Sequence, residues 1–86
     1  MGRPGSQGLT LRPFALDEAL EKTYLHALDV FVPGDVSVTD LEGTTKVYTF
    51  PSVANGGCYP HRLEMLIAKV NTTGTTIALA SLVGYH

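Results

Sequence analysis

Charge is scarce in this 86-residue chain. Six Lys and Arg stand against eight Asp and Glu, for a net charge of −2, and charged residues make up 16% where soluble domains usually carry about a quarter. No basic run is present, so the electrostatic footprint of a nucleic-acid partner is missing. No basic amphipathic helix is present either, which argues against a membrane surface. The single cysteine, Cys58, excludes an internal disulfide framework. No apolar run approaches the ~20 residues of a membrane span. No hydrophobic signal region follows Arg3, so the expectation is a soluble chain made in a cytoplasm. The glycine-rich spots lack the Gly-Lys-Ser/Thr ending of a phosphate loop, and no internal repeat is visible.

What is there suits β-structure. Hydrophobic residues make up 44% of the chain, enough for one small domain with a modest core. Residues 1–8 read as a flexible arm rich in Gly, and residues 9–86 as a single β-domain. Leu9 to Leu16 alternates in part and reads as a first strand, which Pro13 confines to an edge. Leu16, Leu20, Tyr24 and Leu28 lie four apart behind Asp17, which allows a short helical turn near 17–22 ahead of a strand over 23–32. Pro33-Gly34-Asp35 turns the chain. Val36–Thr39 and Thr45–Phe50 read as a hairpin closed by Asp40–Thr44, and Asn55-Gly56-Gly57 as a further turn.

The last third is the most apolar. His61 to Asn71 and Thr76 to Val83 are two runs rich in Leu, Ile, Val and Thr, separated by Thr72-Thr73-Gly74-Thr75. That spacing predicts a terminal hairpin with Gly74 in its loop. Leu63, Met65, Ile67 and Lys69 share one face of the first run, and Arg62, Glu64, Leu66, Ala68 and Val70 the other. Neither face is cleanly polar, so both strands look covered on both sides, and a chain this short has little to cover them with. The inference is contact between subunits through Leu63, Met65, Leu66, Ile67, Ile77, Leu79 and Leu82. The expected architecture is a small antiparallel β-sandwich or barrel of five to six short strands.

Chemistry is thin. Cys58 and His61 supply only half of a zinc site, and His26 and His86 are not spaced to complete it. A Cys58/His61 nucleophile pair lacks a group to orient the base. Acids in turns, such as Asp35, Asp40 and Glu42, usually bond backbone or water. Asn71-Thr72-Thr73 fits the glycosylation pattern but reads as a hairpin loop. Tyr24, Tyr48, Tyr59 and Tyr85 could line a sugar-binding face, though such residues more often fill core edges and interfaces. No catalytic residue, metal or cofactor is expected.

The order of features from Ala27 onward carries a resemblance. An apolar strand to Val32 leads through Gly34-Asp35-Val36 into an alternating strand to Thr39. Gly43-Thr44-Thr45 turns into Val47-Tyr48-Thr49-Phe50. Pro60-His61-Arg62-Leu63 opens the next strand, Thr73-Gly74-Thr75-Thr76 follows, and Val83-Gly84-Tyr85 ends the last. This order resembles the spike base proteins of tailed phages and gene transfer agents. The loop Ser52 to Cys58 departs from that family's Pro-Ala-Gly pattern, and the segment before Ala27 departs from it as well. The resemblance implies a non-enzymatic virion protein, either a spike or fibre base or a capsid decoration (cement) protein. It implies a homo-oligomer, with a trimer expected and a pentamer as the alternative. The implied partners are the major capsid protein and a fibre protein; the charge composition adds the expectation of no nucleic acid and no membrane. The rival readings are a carbohydrate-binding β-module and a small Cys58- or metal-dependent enzyme.

Overall fold

The computed structural model describes residues 10–21, 23–52 and 59–86. The arm, the Asn55-Gly56-Gly57 turn and Cys58 lie outside the described residues. The fold is all-β, with seven strands among the described residues where five to six were expected: β1 (Leu11–Arg12), β2 (Leu25–Val30), β3 (Gly34–Thr39), β4 (Thr45–Phe50), β5 (His61–Ile67), β6 (Lys69–Asn71) and β7 (Leu82–Tyr85). They form two antiparallel sheets, β1-β7-β2-β5 and β4-β3-β6.

The core follows from alternation. On β3, Val36 and Val38 are fully buried; on β2, Leu25, Leu28 and Val30 are. Val70, Ile67, Ile77, Leu20 and Leu82 complete the interior, with Phe14, Leu16, Tyr48, Phe50, Leu63 and Met65 packed around it. Antiparallel partners opposite one another point to the same face. Leu63, Leu28 and Gly84 therefore form one inner row of the four-stranded sheet, and His61, Val30 and Leu82 the next.

Two expectations are corrected. The terminal hairpin does not form. β5 pairs with β2, β6 pairs with β3, and β7 lies between β1 and β2. The first run breaks at Ala68, whose amide donates to the Thr39 carbonyl. That break carries the chain from one sheet to the other. It also changes the phase of burial from Ile67 to Val70. The segment after Gly74 is not a strand until Leu82; Leu79–Ser81 is a 3-10 turn. Here Thr76 makes two hydrogen bonds to the Asp35 backbone instead of starting a hairpin strand, its amide donating to the Asp35 carbonyl and its hydroxyl accepting from the Asp35 amide.

The helical turn near 17–22 is likewise absent from the described residues. Asp17 has a positive φ of 65°. The Asp17 and Leu20 amides donate to the carbonyls of Val70 and Ala68. Leu16 and Leu20 still reach the core, so the four-residue stripe marks burial along an irregular segment that follows β6.

Candidate interaction surface

The outer face of the four-stranded sheet carries its most polar cluster. The register sets Asp29 opposite Arg62 and Val83, and Ala27 opposite Glu64 and Tyr85. Arg62 donates through Nε and Nη2 to the two Asp29 carboxylate oxygens at 2.7 and 3.0 Å. Asp29 is only 6% exposed, while the Arg62 side chain is 32% exposed. The Arg62 guanidinium also stands 4.9 Å from the Tyr85 ring centre, a cation–π arrangement. Its hydrogen bond to Asp29 holds the Arg62 pKa above its ordinary value. Burial, followed by the charge of Asp29, pushes the Tyr85 phenol up. The cluster thus closes on itself and offers no free nucleophile or base.

Around it the surface is apolar. Leu11 is 64% exposed on β1, and Phe31, Val32 and Leu79 are exposed near the ends of β2 and β7. A shallow groove of about 200 Å³ runs between the Leu11–Phe14 segment and Leu79, Leu82, Val83 and Gly84. A second groove, about 380 Å³, lies between the β3–β4 turn at Asp40–Glu42 and Met65–Leu66. Leu41 and Leu66 are each 42% exposed there. On β5 the outward residues Arg62, Glu64 and Leu66 meet solvent, so the strand is covered on one face and not on both.

The seven residues read as a contact surface therefore separate. Ile67, Ile77 and Leu82 are buried in the chain's own core. Leu63 and Met65 are half-buried against that core. Leu66 and Leu79 are exposed, at different grooves. Period-two alternation separates the faces of a strand, but only the fold decides which face its own chain covers. The exposed Leu11 and Phe31 were missed because nothing local distinguishes an outward apolar residue from an inward one.

The tyrosines do not share a face. Tyr48 packs inward on the three-stranded sheet with Lys46 Nζ 5.2 Å from its ring centre. Tyr59 lies 4.5 Å from the His61 ring, and its hydroxyl donates to the Pro51 carbonyl. Tyr85 is on the opposite sheet's outer face, and Tyr24 is exposed just before β2. His61 sits at the core edge between Tyr59 and Phe50 with Nε2 buried and unpartnered. Among the described residues no three of His, Cys, Asp and Glu are grouped to hold a metal ion. No protein-family model, characterised protein or solved structure matches this chain.

Proposed function

We propose that the chain is a non-enzymatic structural protein of a tailed-phage or phage-like particle, seated on the capsid surface as a spike or fibre base or as a decoration protein. The observation that carries the reading is the surface: exposed Leu11, Phe31, Leu41, Leu66 and Leu79 on a small, weakly charged domain. Single exposed apolar residues are ordinary, but several flanking two grooves suit a chain that works by burying area against neighbours. The resemblance supplies the setting. Its motif residues hold the turns of this fold: Gly34, Gly43 and Gly74 all take positive φ. Mounting on a capsid brings symmetric copies together, three at a local three-fold position or five at a vertex. The partners in this reading are the major capsid protein and a fibre protein.

The test is sedimentation of particles from the source strain through a density gradient, with the chain followed by mass spectrometry. Enrichment in the particle band in fixed ratio to the capsid protein is the expected outcome. Recovery in the soluble fraction alone would overturn the reading.

A further inference from the structure

The two sheets end in four strand edges, and they are treated differently. β6 is covered by the amides of Asp17 and Leu20. β1 is two residues long. β4 carries Lys46 among uncharged residues, and an unanswered edge lysine discourages pairing. β5 runs seven residues, pairs among the described residues with β2 on one side only, and carries Arg62 and Glu64 two apart on its exposed face.

We propose that β5 is the contact with a second copy of this chain, paired antiparallel across a two-fold axis at Leu63. The charges select the register. With Leu63 opposite the partner's Leu63, Arg62 meets the partner's Glu64 on the outer face, twice by symmetry, and His61 meets the partner's Met65 on the core side. An axis at Glu64 would set two like charges against each other, and one at Met65 would set Glu64 against leucine; both lose the pairing. Asp29 occupies Nε and Nη2 of Arg62, so Nη1 is left for a second acid. Among the described residues Glu64 has no hydrogen bond to compete. The register against β2 shifts between Leu25 and Ala27, opposite Ile67 and Glu64. The extra β5 residue there bends the edge from Met65 onward, so the paired stretch is His61–Met65.

The joined sheet has eight strands. This contact does not depend on a capsid. It makes the copy number even: two by itself, or six where three-fold rings also form.

Light scattering of the full chain over a range of concentrations reads the copy number. An even number is expected, and 1, 3 or 5 copies at every concentration would overturn the proposal. E64K puts a lysine opposite the partner's Arg62 and should halve the mass with circular dichroism unchanged; an unchanged mass would overturn it. A second pair of variants fixes the register in a Cys58→Ser background. Directly opposite residues stand at disulfide distance, about 4.5–5.5 Å between Cα atoms. L63C should therefore give a disulfide-linked pair under oxidation, and E64C should stay unlinked. Linking through E64C and not L63C would overturn it.

Discussion

The two sheets settle their outer surfaces by opposite means. The four-stranded sheet relies on a few strong side-chain contacts, Arg62 with Asp29 and Tyr85, and among the described residues leaves its β5 edge open. The three-stranded sheet has one strand of only three residues, and irregular chain completes it. Where β6 stops, Thr75 and Thr76 hydroxyls accept from the amides of Ser37 and Asp35 at 2.8 and 2.9 Å. Asn71 Nδ2 donates to the hydroxyls of Ser37 and Thr39. Beyond β6, Asp17 accepts from the Thr72 amide and hydroxyl. A strand can thus be finished by hydroxyls and one carboxylate as well as by another strand, provided every buried amide is met. An edge finished in this way offers no open pairing to a neighbour, whereas one finished by a bare strand does.

The largest break is at the joint between the sheets. Gly34 has φ +142°, and a Cβ there would stand 2.6 Å from Ile77 Cγ1 and 2.9 Å from Thr76 Oγ1. Gly34→Ala forces Ile77 out of the core as well as straining the backbone. We expect a loss above ~3 kcal/mol, enough to threaten folding of a small domain. Chemical denaturation checks it. Next is Arg62→Leu, which leaves the Asp29 carboxylate buried and unpaired. A fully buried pair broken this way costs about 3–5 kcal/mol. With Arg62 one-third exposed, about 2 kcal/mol is expected, and the Tyr85 phenol, followed by ultraviolet absorbance, should respond when the charge above it goes.

The three-stranded sheet should yield to smaller changes. Thr75→Val removes the acceptor of the buried Ser37 amide and the 2.6 Å donation to the Asn71 carbonyl. An unmet buried donor costs roughly 1–3 kcal/mol, and about 1.5 is expected because the loop can relax. Asp17 acts through pH. Its hydrogen bonds to Thr72, and more weakly the charge of Lys69, hold its pKa below the ordinary carboxylate value. A lowered folded pKa gives stability that is present above the unfolded value near ~3.9 and is lost as pH falls through the folded one. Wild type should therefore be more stable than Asp17→Asn at neutral pH, and the gap should close in acid. A gap that is constant with pH would mean the carboxylate's charge does nothing there.

The same contrast explains what the sequence could tell. Alternation of Val36 and Val38 across Ser37, with Gly43 closing the turn, made the β3–β4 hairpin legible because every signal was local. The alternating faces of β5 were legible as far as Ile67 for the same reason. The terminal hairpin was misread because Thr72–Thr76 has the composition of a reversal, while the hydroxyls of Thr75 and Thr76 are spent on β3, some forty residues earlier in the chain. Leu16 and Leu20 were misread as one face of a helix because burial alone produced their spacing, and the bonds that decide the backbone run to Ala68 and Val70. Of the proposed contact, Arg62 and Glu64 could be placed on one face, but the openness of that edge depends on which strands pair, and pairing of distant segments leaves no local mark.

Gly43 sharpens this point with the smallest effect. Like Gly34 it takes a positive φ, +87°, yet nothing lies within 4 Å of where its Cβ would be. The turn around it is held from one side, by the Asp40 carboxylate accepting from the amides of Glu42 and Thr44 at 2.8 and 3.0 Å. Gly43→Ala therefore meets only the left-handed backbone penalty, about 1 kcal/mol, and Gly43→Asn less, since Asn tolerates that region. If thermal denaturation finds the two alanine variants equally damaging, backbone strain alone governs both glycines. A loss several-fold larger at Gly34 assigns the difference to Ile77, the side chain that the expected hairpin had placed in a terminal strand and that the fold instead sets against the start of β3.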